Sequence, residues 1–391
     1  MKKLGMIAGV ILLIIILGIF EISTAEQTAD ATVKQTKVGL ILNGSSSDNS
    51  WGQSHYEGLQ ECSDSLNLEI LCRENVPEDE SSKAVMEELI GQGCEIIICD
   101  SFGYGEWEIQ VAEAYPEIFF FHATGVEERK NLTTYFGRIY QMRYLSGIVA
   151  GLQTQTDEIG YVAAFPISEV NRGINAFTLG VQAVNPDAVV HVVFSNSWTE
   201  DEPNKTAAEA LIDKYGIDVL TMHTNSDKPL EVAEKRGIWS IGYNVDTGDS
   251  YPGSYLTAPV WEWKNFYEPH ILECLQGKFI GKHYWEGVET GLVSLAPLTG
   301  NVKSGIADAV EKEKERLQSG TFDVFYGPIV DNKGNLRVAE GESMPDELML
   351  NEFDWYVKGV VLDEEDKETK SLPDDSGTCH YSHHLFTDHD V

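Results

Sequence analysis

The chain has 391 residues, 42% hydrophobic and 10% aromatic, which is enough for two packed domains. Its 63 acidic against 28 basic residues leave a formal charge of −35, a field that repels phosphate backbones and anionic membrane surfaces and argues against nucleic acid as a partner. The six cysteines show neither a dense disulfide framework nor the CxxC spacing of a zinc site, and they read as small buried hydrophobes.

The chain opens with Lys2 and Lys3, an uncharged apolar run from Gly5 to Phe20, and Ser23 and Ala25 at the spacing of a cleavage site. This is the pattern of a secretory signal over residues 1–25, with retention as an uncleaved membrane anchor as the alternative. Residues 26–36 read as a linker.

From Lys37 onward, short apolar runs alternate with helical stretches: KVGLIL, LEILC, CEIIICD and IFFFHAT are each followed by a helix, the last of them YQMRYLSGIVAGLQ. Runs that are apolar throughout are buried on both faces, the mark of a parallel sheet. The pattern restarts with EIGYVAAF, then VVHVVFS, IDVLTMHT and WSIGYN, which predicts a second α/β lobe. SYLTAPVWEW reads as one more strand, KNFYEPHILECLQGK as a helix, and FDVFYGPIVDNKGNLRV as a hairpin. The division expected is lobe one at 37–155 plus about 264–290, lobe two at 156–263 plus about 291–362, and an acidic, unpacked tail at 363–391.

Loops that follow the strands carry the chemistry. They present Asp48 and Trp51 in GSSSDNSW, Phe102 and Tyr104 in DSFGYGEW, Phe165 in FPISEVNR and Trp198 in SNSWTEDE. Asn225 and Asp227 lie in HTNSDK, and Tyr243 and Asp246 in GYNVDTGDSYP. Rings with carboxylates and amides suit a flat ligand, whose faces stack while its edges hydrogen-bond. Arg138, Arg172 and Lys264 are further donors that could reach a cleft. No GxSxG, HExxH, GxGxxG or GxxxxGK[ST] motif is present, so the common hydrolase, zincin, dinucleotide and P-loop signals are missing. The reading is a binding protein without catalytic residues, metal or cofactor.

The stretches SSSDNSWGQSHYEGL, DSFGYGEWEIQVAEAYPEIFFFHATG, TYFGRIYQMRYLSGIVAG, IGYVAAFPISEVNRGINAFTLGVQAVNPDA and SIGYNVDT, in that order, resemble the basic membrane protein family. These are the purine-receptor-like substrate-binding proteins of ABC transporters. The resemblance implies an α/β type I periplasmic-binding-protein fold with two doubly wound parallel-sheet lobes joined by a hinge. It also implies a purine nucleoside or base in the cleft, Asp48 and Trp51 on one side of it, Trp198 or Phe165 on the other face of the base, and Asp246 at the ribose hydroxyls. The expected partners are that small molecule and an ABC permease, with the receptor exported and monomeric. The signal region has no lipoprotein cysteine, and DNSW stands where nucleoside receptors carry an Asp-Lys-Ser-Phe-Asn run, so a free base such as adenine stays open beside a nucleoside. A surface sensor of the same fold and a nucleoside-cleaving enzyme are the alternatives.

Overall fold

The computed structural model describes residues 35–363, so the signal, nearly all of the linker and all but the first residue of the tail lie outside the described residues. In chain order the first elements are β1 (Thr36–Ile41), α1 (Trp51–Leu66), β2 (Leu68–Arg73), α2 (Ser81–Gly91), β3 (Cys94–Cys99), α3 (Gly105–Ala114), β4 (Phe119–Ala123) and β5 (Leu132–Gly137). Next come α4 (Tyr140–Gln153), β6 (Glu158–Ala163), α5 (Ser168–Val184), β7 (Val189–Phe194), α6 (Asp201–Tyr215), β8 (Val219–His223), α7 (Lys228–Arg236) and β9 (Trp239–Ile241). The remainder is β10 (Tyr255–Thr257), β11 (Pro259–Trp261), α8 (Lys264–Leu275), β12 (His283–Glu286), β13 (Val293–Leu295), α9 (Ile306–Gln318), β14 (Ile329–Val330), β15 (Leu336–Val338), α10 (Asp346–Asn351) and β16 (Val360–Leu362).

Two six-stranded sheets result, ordered β12-β5-β4-β3-β1-β2 and β10-β9-β8-β6-β7-β16. Every pairing within them is parallel. The apolar runs behave as a parallel sheet requires: Val38, Leu40, Ile97, Ile98, Val162, Val190 and Val219 are all fully buried. The chain crosses between the sheets three times. Two of the connecting segments contain β11 and β13, which pair antiparallel.

Three strands escape the apolar-run criterion. β5 (LTTYFG) is buried along its whole length, but Thr133 and Thr134 break its apolar run; Thr133 Oγ1 donates to the Lys282 carbonyl at 2.6 Å. HYWE (β12) and VVL (β16) are too short to read alone and join the two sheets at their edges. SYLTAPVWEW is not one strand. Pro259 has no N–H to continue a ladder, so β10 stays with the second sheet while β11 leaves to pair with β13. The expected hairpin is β14–β15, with Asp331 accepting from the backbone of Lys333 and Asn335 and from Arg337 Nε.

The helix α4 lies along α5 and also touches α9, β13 and β11, on the second sheet's side of the molecule. Residues 346–362 then run over α5. Asn171 and Asn175 each donate from Nδ2 to a carbonyl, those of Phe353 and Trp355, at 2.8 Å, and Arg172 Nη1 donates to the Met349 carbonyl at 2.5 Å. Arg138, just past β5, ties this segment back to the first sheet through Asp346 of α10, at 3.0 and 2.5 Å.

Candidate functional site

The C-terminal ends of the parallel strands of both sheets carry the loops singled out from the sequence, the place where open α/β sheets bind ligands. On the first sheet, Asp48 heads α1. Its carboxylate accepts from the backbone N–H of Ser50 (2.8 Å), Gly52 (2.9 Å) and Gln53 (3.0 Å), satisfying donors that the first helical turn leaves open. Burial raises its pKa, and those three bonds work against the rise. The indole N–H of Trp51 donates to the Asp100 carbonyl at 2.9 Å, while its ring meets His55, Trp261 and Trp263 edge-on and Phe136 at a tilt. Asp100 is fully buried at the end of β3, with Oδ1 accepting from Asn43 N–H at 3.0 Å and Oδ2 unmatched. Burial pushes its carboxyl well above the usual range, and the Glu78 and Asp48 charges push the same way. Phe102 is half-buried in a short turn beside it.

On the second sheet, Phe165 and Trp198 are half-buried and pair with ring centroids 6.0 Å apart, and Trp198 meets His223 edge-on. His223 ends β8 and is completely buried. Burial lowers its pKa, Arg143 and Arg172 adding to the effect and Glu169 opposing it; Nε2 lies 3.1 Å from Glu169 Oε1, and Nδ1 lies 3.0 Å from the Tyr161 hydroxyl. Burial alone would raise Glu169, but His223, Arg172 and Arg143 outweigh it and hold that carboxyl below its usual value. Arg143, from α4, places Cζ 3.8 Å from the Tyr243 ring centre and donates from Nη1 to the Met222 carbonyl at 2.8 Å. Asn225 N–H donates to the Trp198 carbonyl at 2.7 Å, fixing the two loops to each other.

The structure therefore gathers Asp48, Trp51 and Phe102 on one sheet and Phe165, Trp198 and Asn225 on the other. It does not gather the rest. Tyr104 is corrected: its ring is fully buried in the outer core with Val76, Met86 and Leu89, and its hydroxyl donates to the Val76 carbonyl at 2.6 Å. Tyr243 is buried as well, with one face under Arg143 and an edge on His223, so it offers a ligand no open stacking face there. Asp227 accepts from Tyr251 at 2.7 Å at the head of α7, and Asp246 is exposed with Oδ1 accepting from Gly248 N–H at 3.0 Å. Of the other donors, Arg138 is taken up by Asp346 and Arg172 by the Met349 carbonyl.

Glu169, His223 and Arg143 were missed as site residues. The first two stand in the quoted segments FPISEVNR and HTNSDK, but a first-turn Glu and a strand-end His carry no spacing signal; only the fold brings them to one another. The arrangement offers rings, acceptors and donors for holding a molecule. Burial pushes the thiols of Cys62 and Cys72 up to about 12 and that of Cys94 up to about 11, which makes them poor nucleophiles. Among the described residues, no group of three or more His, Cys, Asp or Glu side chains could hold a metal ion.

Comparison with known proteins gives the site a context. Residues 35–323 match the family model Bmp, described as ABC transporter substrate-binding protein PnrA-like, and the segment that runs over α5 lies beyond that match. A purine-binding protein of Brucella abortus is 34% identical over 84% of this chain and 93% of its own. A Haloferax volcanii protein, named provisionally as an ABC transporter glucose-binding protein, is 36% identical over 80% of this chain and 77% of its own. Among solved structures, an ABC transporter solute-binding protein from Conexibacter woesei superposes with a TM-score of 0.64 at 19% identity, over 74% of this chain and 98% of its own.

Proposed function

Given that the chain belongs to the Bmp family of ABC transporter substrate-binding proteins, we propose that it carries a purine nucleoside or purine base between its two sheets and hands it to a membrane permease. The observation that carries this reading is the presence of half-buried rings in the strand-end loops of both sheets, Trp51 on one and the Phe165–Trp198 pair on the other, each beside hydrogen-bonding groups. A heterocycle gains about 1–3 kcal/mol for each ring it stacks on, and its edge atoms must then be matched, because an unpaired buried donor or acceptor costs about as much. In this reading Glu169, with His223 behind it, reads those edges. The identity with the Brucella purine-binding protein supports the same ligand class.

The receptor works as a monomer on the outer side of the membrane, where the family acts, and among the described residues no helix is long and apolar enough to cross a membrane. Ligand touching both sheets biases the molecule toward the closed state by its differential affinity for the two states, and that closure is what a permease reads. The Haloferax relative favours a second reading, glucose, because rings beside carboxylates also suit a sugar.

Trp51→Ala is expected to weaken binding of adenosine or guanosine at least tenfold, about 1.4 kcal/mol, in a fluorescence or calorimetric titration. Trp51→Phe, which keeps a stacking face, should lose much less. Unchanged dissociation constants in both variants would remove this ring from the site.

A further inference from the structure

Asn244 lies between Tyr243 and Asp246, two positions that the sequence offered for the site, and its own side chain is taken up by protein groups. It is 1% exposed and left-handed, with φ at +70°, a backbone conformation that Asn tolerates better than most residues. Two backbone bonds to β11 hold it there: its N–H donates to the Pro259 carbonyl at 3.0 Å, and its carbonyl accepts from Trp261 N–H at 3.2 Å. The amide is thereby aimed at three elements at once. Oδ1 accepts from the Trp261 indole N–H at 2.8 Å, and Nδ2 donates to Asn225 Oδ1 at 3.1 Å and to Ser50 Oγ at 2.8 Å.

Those partners have different origins. Trp261 belongs to a segment connecting the two sheets, Asn225 to a loop of the second sheet, and Ser50 to the head of α1, on the first sheet's side. Ser50 is also 1% exposed, and its N–H is one of those fastened by Asp48. Trp51, the next residue, meets Trp261 edge-on at 5.6 Å, so the ring proposed to cover the ligand shares a neighbour with this network.

We propose that Asn244 and Ser50 form a latch between the sheets that sets the balance of open and closed states. This holds whatever the ligand is. When the sheets part, Ser50 must leave, whereas Asn225 and Trp261 remain with Asn244; opening therefore breaks the Asn244–Ser50 bond at 2.8 Å and the longer one that Ser50 Oγ donates to Asn225 Oδ1 at 3.5 Å, and both reform when Ser50 returns. Asn244 is a positioning residue, not a ligand contact.

A hydrogen bond of ordinary net strength shifts such an equilibrium by roughly 2- to 10-fold. Ser50→Ala removes one oxygen atom and leaves the fold its other contacts. In ligand-free protein, small-angle X-ray scattering should then show a radius of gyration raised by on the order of 1 Å from the roughly 21 Å of a compact chain of this length. Amide exchange at the first turn of α1 should rise in step. Asn244→Ala, checked for folding by circular dichroism, should do the same or more; if it fails to fold, Ser50→Ala decides. Titration with adenosine, as probe, should show an affinity lower in Ser50→Ala by at most that factor, since only the closed fraction binds. A Ser50→Ala protein with wild-type scattering and wild-type exchange at those amides would overturn the latch, and it would do so without bearing on purine binding.

Discussion

Valine in place of Gly147 or Gly180 is expected to keep the second half of the chain from reaching this fold. The helices α4 and α5 cross at backbone contact. A Cβ on Gly147 would fall on the Phe177 carbonyl oxygen, and one on Gly180 on the Tyr144 carbonyl oxygen. Neither obstacle is a side-chain tip that could swing away; both are main chain of the opposing helix, so the helices would have to separate. Gly151, one turn along, sits nearly as close, with its Cβ position 2.8 Å from the Val181 carbonyl oxygen. Separation would break packing that also positions Arg143 under Tyr243 and Arg172 against α10. We expect a loss above about 4 kcal/mol, in the range reserved for core disruption, read as insoluble protein or a greatly lowered urea midpoint. Alanine at either position should fall between valine and the wild type. A Gly147→Val protein with a wild-type midpoint would mean that the two helices do not meet this closely.

Trp263→Ala is the second large effect. Trp263 is fully buried, its ring stacked between His55 (4.4 Å, 16°) and Trp261 (4.7 Å, 9°), with Trp51 and Tyr135 edge-on. Its indole N–H donates to Ser54 Oγ at 3.0 Å. Gly58 lets α1 come this near, since a Cβ there would lie 2.5 Å from that of Trp263. The stack is built of neutral rings, because burial pushes His55 down to about 3. Removing the indole should cost about 3–5 kcal/mol, as large-to-small changes of buried aromatics do, and leave the Ser54 hydroxyl short of a donor. The stack joins α1 to the connecting strand β11, so the variant should also weaken binding by loosening Trp51. Equal stability of Trp263→Ala and wild type in urea unfolding would contradict the stack.

Much of the fold could be read from residue order. Continuous apolar runs such as CEIIIC and VVHVVF are buried on both faces in a parallel sheet, and no other common arrangement asks for them. Their restart after Gln155 foretold the second sheet. What stayed hidden depends on partners remote in sequence. Nothing in YQMRYLSGIVAGLQ says that Gly147 will touch Phe177, or that Asn171 and Asn175, in an ordinary amphipathic helix, will bind a segment about 180 residues later. The loops after the strands were legible as a set, but the direction of each ring was not. Tyr104 and Trp51 occupy similar positions after β3 and β1; a carbonyl at Val76 draws the Tyr104 hydroxyl into the outer core, while Trp51 is fixed beside the connecting strands by the carbonyl of Asp100.

The measurement closest to the central claim is a calorimetric titration of ligand-free protein with adenosine, guanosine, inosine, adenine, hypoxanthine and glucose. Saturable binding of at least one purine at a single site, with no heat from glucose, is the predicted result. Saturable binding of glucose with silence from every purine would contradict a nucleobase held between Trp51 and the Phe165–Trp198 pair.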